Sequence, residues 1–204
     1  PAGSGNGLAR HLNIPLQLGK AIENLNYRES MIMDTVLVND KPFLNAAGYG
    51  IDAFVAKKFN DSPKRGLLSY IKLSVQEYRH YKPVDISVKI NGIIKSFPVF
   101  MLSIANASEF GNGFCISPQS DVTDGQIELV LVKPIRFWDV PKLAFQFFNK
   151  TSAKSNFLEV IPFKEAVINI NSTIAQYDGE PLQVRNELNV KVVPKSLHIL
   201  VGKK

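Results

Sequence analysis

The sequence predicts an α+β protein. A helical and hairpin start leads into a largely antiparallel, β-sandwich-like body with few helices, a sandwich or a flattened barrel. Three observations predict it. From Pro83 onward, short alternating or apolar runs are punctuated by turn residues. One of these, DISVKI-NG-IIKSF (85–97), is a strong hairpin signal, because Asn91-Gly92 suits a type I′ turn whose two central residues need positive φ. Helical spacing is confined to a few segments, and neither an internal repeat nor a low-complexity linker occurs.

Taken in order, Leu8 to Leu25 carries apolar residues at helical spacing, interrupted at Pro15. MDTVLVND (33–40) alternates, and a turn at Asn39-Asp40 leads into KPFLNAAGYG as a second strand. GIDAFVAKKF (50–59) is an amphipathic helix, DSPKRG (61–66) a polar loop and LLSYIKLSVQEYRHY (67–81) a further helix. PVFMLSIANA (98–107) reads as one central strand and DGQIELVLVK (124–133) as another. FWDVPKLAFQFFNK (137–150) reads as a helix, with Pro141 tolerable only in its first turn. AVINI, IAQYDGEPL, ELNVKVVP and SLHILVG supply the closing strands.

Composition narrows the function classes. The chain has 204 residues, 45% hydrophobic and 21% charged, enough to bury a core unaided. A single cysteine, Cys115, excludes an internal disulfide framework and fits a reducing, cytoplasmic compartment. No apolar run reaches the ~18 residues of a membrane span. The net charge of +6 suits a surface that meets anions, but scattered Lys and Arg give nucleic acid little support. The three histidines lie far apart with no cysteine or serine motif beside them, which argues against zinc and against a Ser-His triad.

Five segments carry chemistry. Gly3, Gly5 and Gly7 in PAGSGNGLARHL let backbone amides approach an anion ahead of a helix, with Ser4 and Asn6 as further donors; a ligand-free turn fits equally well. Asp121 and Asp124 suit a hard, hydrated cation such as Mg²⁺, or an Asx-type turn. Asp178 and Glu180 flank Gly179, as paired carboxylates of which one is a general base, or as a hairpin turn. FLNAAGYGIDAFVA (43–56) places Asn45, Gly48, Gly50 and Asp52 at a strand-to-helix junction, where Asp52 is a candidate N-cap. ANASEFGNGFCISP (105–118) sets Asn106, Ser108, Gly111 and Gly113 in a loop leaving a central strand.

The order of PAGSGNGLARHL, FLNAAGYGIDAFVA, KRGLLSYIKL, NASEFGNGFCISPQSDVTDGQIELVLV and YDGEPL resembles the diacylglycerol kinase and sphingosine kinase superfamily of lipid kinases, in its bacterial soluble branch. The resemblance implies a C-terminal portion. Residues 1–30 would be the remnant of an α/β nucleotide-binding domain, and 31–204 the β-rich domain, with the last residues returning to the first. The Gly-Gly-Asp-Gly-Thr loop of that family is absent from the chain.

By the same resemblance, Gly3, Ser4, Gly5 and Asn6 line the nucleotide cleft and Asp121 and Asp124 hold a structural Mg²⁺. Asp178 acts as the base toward a lipid hydroxyl, with Gly179 and Glu180 near the nucleotide. More loosely, Asp52 and Lys64 or Arg65 contact substrate or phosphate. One departure is Gly7, where many relatives have aspartate. The implied activity is ATP-dependent phosphorylation of a primary hydroxyl on diacylglycerol or a sphingoid base, at an anionic membrane surface, by a longer protein of which this chain alone is inactive. A non-catalytic β-domain and an NAD kinase-like enzyme are the alternatives, and exposed strand edges leave room for a homodimer.

Overall fold

A computed structural model describes residues 1–27, 29–60, 73, 76–78, 81–172 and 174–203, with only the backbone given for 52, 56, 57, 59 and 60. Two six-stranded antiparallel sheets and a two-stranded hairpin account for most of it. The first sheet runs β2 (Lys41–Phe43), β1 (Ser30–Val38), β14 (Glu187–Leu200), β11 (Glu165–Ile170), β4 (Val84–Ile90), β5 (Ile93–Val99). The second runs β10 (Leu158–Phe163), β9 (Ile127–Val132), β6 (Met101–Ala105), β3 (Ala46–Gly50), β12 (Ile174–Tyr177), β13 (Glu180–Gln183). Strands β7 (Glu109–Gly111) and β8 (Phe114–Cys115) form the two-stranded sheet, and Gly111 also makes an antiparallel bridge with Asn6. Among the described residues, the α-helices with defined bounds are α1 (Gly7–His11), α2 (Leu18–Asn24), α3 (Ile51–Asn60) and α4 (Val140–Phe148).

Burial explains the two strand textures. Val36, Val38, Ile86, Val88 and Ile168 of the first sheet meet Tyr49, Leu102, Ile104, Leu129 and Leu131 of the second to form the main core. The second sheet's other face is covered as well, where Met101, Val130 and Val132 pack under Ile51 and Val55 of α3 and Leu143 and Phe147 of α4. Strands covered on both faces cannot alternate, so β6 and β9 are buried at every position. The molecule is thus a sandwich with helices on one outer face, as the alternation predicts.

Four details depart from the sequence expectation. The run 98–107 is not one strand. It breaks at Phe100, where the chain leaves the first sheet as β5 and enters the second as β6, because its uniform apolarity conceals the switch. ELNVKVVP and SLHILVG form one strand, β14, carrying a bulge opposite Met33 and Thr35 with Lys195 at φ 50°. Strand β10 is unpredicted, since Pro162 makes LEVIPF read as a non-strand. Asp52 is no N-cap, as it lies within the first turn of α3. Most of the expected 67–81 helix and the 61–66 loop lie outside the described residues, although Leu73 and residues 76–78 are helical.

Pro162 sits at a sheet edge, and so does a proline in each of the other edge strands: Pro42 in β2, Pro98 in β5 and Pro181 in β13. Proline removes a ladder donor, so edges are where a sheet accepts it.

The crossing from β2 to β3 is fully accounted for by hydrogen bonds. The N–H groups of Leu44, Asn45 and Ala46 donate to the Asp178 carboxylate at 2.9, 2.8 and 3.1 Å. The Leu44 carbonyl accepts from Asn106 Nδ2 at 2.7 Å, the Asn45 carbonyl from the amides of Asn106 and Ala107, and the Ala46 carbonyl from the Asp178 amide. No backbone group of this buried crossing is left unpaired.

A second clamp is centred on Asp34. Opposite the β14 bulge, Met33 and Asp34 of β1 are buried in succession. The Asp34 carboxylate accepts from the amides of Gly125 at 2.7 Å and Lys195 at 2.6 Å, tying the 121–125 turn to the β14 bulge. Asp34→Ala leaves both amides without an acceptor. It is expected to lower unfolding stability by about 2–5 kcal/mol in urea titrations, with Asp34→Asn costing less; a loss below ~1 kcal/mol for the alanine variant would contradict the clamp.

His11, at the end of α1, faces Ser108 through Nδ1, 2.8 Å from Oγ and accepting from the backbone N–H at 3.2 Å. Burial holds its pKa below the ordinary 6.5, while Asp121 and Glu109 pull weakly the other way. The folded protein takes up this proton less readily than the unfolded chain. The residue therefore costs stability as pH falls from about 6.5 toward its lowered value, and costs none above. Urea midpoints measured between about pH 7.5 and 5 are expected to fall more steeply for the wild type than for His11→Gln, and parallel curves would refute the link.

Candidate functional site

The glycine-rich start is held by backbone contact with the β7–β8 hairpin. Gly3 N–H donates to Asn6 Oδ1 at 2.9 Å, and Asn6 takes the left-handed conformation at φ 52° that starts α1. The Gly5 carbonyl accepts from the Asn112 amide at 3.0 Å and from Arg10 Nε at 3.2 Å. A Cβ on Gly7 would lie 2.3 Å from the Glu109 carbonyl oxygen, and one on Gly111 2.7 Å from Gly5 Cα. Two of the glycines are thus required by packing. No side chain caps the N-terminus of α1.

Across the cleft, Asp178 and Gly179 are the central residues of the β12–β13 turn, at φ 50° and 93°, the type I′ geometry that only a left-handed pair supplies. Gly179 N–H donates to Gln176 Oε1 at 2.7 Å, and Tyr177 and Tyr49 join through their hydroxyls at 2.9 Å. Burial raises both phenol pKa values, so these hydroxyls stay protonated. Asp178 spends both carboxylate oxygens on the crossing at 44–46 yet remains exposed at the rim, as are Gly179 and Glu180.

One cleft of about 1510 Å³ is lined by Gly3, Ser4, Gly5 and Asn6 and also by Asp178, Gly179 and Glu180. The structure therefore brings these seven sequence-predicted residues around a common space. The rest of the lining is mostly apolar, including Ile51 and Val55 of α3, Leu143 and Phe147 of α4, and Phe100 and Phe114. The β7–β8 hairpin joins the two parts. Its backbone carries the glycine loop, and its Phe114 ring packs on Phe147 at 4.5 Å and on Phe148 at 5.6 Å between centroids.

Asp121 and Asp124 do not line this cleft. Each closes a short turn. Asp121 Oδ1 accepts from the amide and hydroxyl of Thr123 at 2.9 and 2.7 Å, and Asp124 Oδ1 from the Gln126 amide at 2.8 Å. Their Oδ2 atoms make no hydrogen bond among the described residues, and Glu128, raised in pKa chiefly by burial, lies near enough to feel both charges. No group of three His, Cys, Asp or Glu side chains able to share one ion occurs among the described residues.

Asp52 lies on α3, the helix whose Ile51 and Val55 face the cleft. Lys64 and Arg65 lie outside the described residues. Cys115 is buried, and burial pushes its thiol up to about 11, which removes it as a thiolate nucleophile. Asp34, the His11–Ser108 pair and the α4 wall were missed by the sequence reading. For Asp34 the available signal was a carboxylate inside the apolar run MDTVLV; for α4 it was the phenylalanine density of LAFQFF.

Residues 45–201 match the family described as the YegS C-terminal NAD kinase beta sandwich-like domain. The chain is similar to "Uncharacterized protein sll0036" of Synechocystis sp., 26% identical over 98% of this chain and 48% of that one. It is also similar to "Probable lipid kinase YegS-like" of Yersinia enterocolitica, 24% identical over 97% of this chain and 66% of that one. The chain thus spans between about half and two thirds of these relatives. Two solved structures from Bacillus anthracis str. Sterne share its fold. One, a diacylglycerol kinase, superposes with a TM-score of 0.71 at 13% identity, covering 99% of this chain and 65% of its own. The other gives 0.77 at 16%, covering 99% and 67%. The match over most of its length, on a two-sheet fold, establishes that this chain belongs to the YegS C-terminal NAD kinase beta sandwich-like domain family.

Proposed function

We propose that this chain is the lipid-binding, β-rich part of an ATP-dependent lipid kinase that phosphorylates a primary hydroxyl. The observation that carries the reading is the composition of one cleft: a rim of Gly3–Asn6 and Asp178–Glu180 continuous with an apolar lining of α3, α4 and the Phe114 hairpin. A lipid with one reactive hydroxyl and long acyl chains has that same division. Residues 1–30 would belong with a nucleotide-binding domain. In support, Leu18, Ile22 and Leu25 of this stretch are exposed apolar side chains bordering the cleft.

In this reading the amides of the glycine loop hold nucleotide phosphate near the lipid hydroxyl. Asp178 takes the hydroxyl proton as the new O–P bond forms and the bond to the departing ADP breaks. Three backbone amides fix the carboxylate's orientation beforehand. Mg²⁺ would neutralise phosphate charge at the nucleotide, and a second, structural ion would rest on Asp121 and Asp124. The cleft would lie against an anionic membrane from which the lipid is drawn.

A non-catalytic role has one observation in its favour: both Asp178 oxygens already serve the crossing at 44–46. Assays with ATP against diacylglycerol, a sphingoid base and NAD separate the readings, using this chain and any longer protein that carries it. Asp178→Asn is expected to lower transfer by ~10²-fold or more and to lower stability by about 1–3 kcal/mol, since the amide can replace only part of the acceptor set. Transfer that persists in the folded variant would remove Asp178 from the base role. Ala144→Trp, which fills the cleft from α4, is expected to raise KM for long-chain lipid on the order of tenfold with KM for ATP unchanged.

A further inference from the structure

The helix that walls the cleft is apolar on both of its sides. Leu143 and Phe147 point inward and are buried, and Val140 and Ala144 line the cleft. The outward face, read every three or four residues, is Trp138, Pro141, Lys142 and Phe145, all exposed. Trp138 is 82% exposed and Phe145 66%. Trp138 stands in the 3-10 turn Phe137–Asp139 that runs straight into α4, so the two rings, seven residues apart, share a side. The inward face is already buried, so grouped aromatics exposed on the other side mark an interaction site.

The surrounding charge selects the occupant. From residue 133 to 154 the chain carries Lys133, Arg136, Lys142, Lys150 and Lys154 against one acid, Asp139. Lys133 pairs with Glu159 and Lys150 with Glu109. Arg136 and Lys142 have no ion-pair partner among the described residues. Lys142 Nζ does lie over the Phe157 ring, 5.7 Å from its centroid. Two aromatic rings flanked by cations without a carboxylate partner match the boundary of a bilayer that carries anionic headgroups, where rings enter the interface and long basic side chains reach the phosphates.

We propose that Trp138 and Phe145 insert into the surface of an anionic bilayer, so that α4 docks there and the cleft behind it opens at the membrane. The purpose of this docking rests on the lipid-kinase reading; the docking itself is measured without nucleotide. Trp138 is the only tryptophan of the chain, so its emission reports this site alone.

With vesicles of equal phosphatidylcholine and phosphatidylglycerol, the emission of Trp138 is expected to move to shorter wavelength and to be quenched by acyl-chain-brominated lipid. Vesicles of phosphatidylcholine alone should give a much smaller change. In vesicle sedimentation, the double variant Trp138→Ala, Phe145→Ala should bind at least ~tenfold more weakly. Arg136→Glu with Lys142→Glu, which leaves both rings in place, should lose a comparable factor at low salt. Unchanged emission with anionic vesicles overturns the proposal. So does a shift that needs no vesicles and grows with protein concentration, which would make a second copy the occupant. Vesicle binding by a longer protein that carries this chain, without any kinase activity, sinks the kinase reading and leaves the docking standing. Phosphorylation of a water-soluble short-chain lipid without vesicle binding does the reverse.

Discussion

The architecture turns on how the chain passes from one sheet to the other at residues 44–46. A sandwich needs such crossings, and a crossing beside the core exposes backbone donors and acceptors to an apolar interior. Here one carboxylate and one amide side chain meet the demand. Asp178 collects three N–H groups, and Asn106 takes the Leu44 carbonyl. Both come from distant parts of the chain, so the crossing also fixes the β12–β13 turn and the end of β6 against β3. The position of the cleft rim follows from this set of bonds, because the residue that satisfies the crossing is the residue that faces the cleft.

That dual use bears on the chemistry. A carboxylate held by backbone amides is oriented without dependence on side-chain rotamers elsewhere, which is what the proposed base role would require. The glycine loop is organised in the same manner. Gly7 and Gly111 are small because backbone lies against backbone there, and the start of the loop, through Ser4, is exposed. Opposite sides of the cleft are therefore both set by main-chain contacts.

Much of the fold was legible in the sequence because turns are local. Asn39-Asp40, Asn91-Gly92 and Asp178-Gly179 each place two positive φ values between paired strands, as their residue types require. Pro141 stands in the first turn of its helix, where a proline is tolerated. What was illegible is non-local. Nothing in an apolar run tells Phe100 that it changes sheets, and the bulge that unites the two halves of β14 depends on Asp34 reaching Lys195 across the sheet. Around the cleft, the glycines, Asp178 and Glu180 were recognisable by type and order, whereas the wall supplied by α4 reads from sequence only as a helix. The acids at 121 and 124 stand on a turn outside the cleft, a separation that spacing along the chain could not reveal.

The prolines in β2, β5, β10 and β13 also limit what the domain can become. A sandwich with four open margins is ordinarily a template on which stray strands, its own or a neighbour's, stack into fibres or swap between copies. Each of these strands lacks a backbone donor at one position, which disfavours the edge-to-edge addition of another strand.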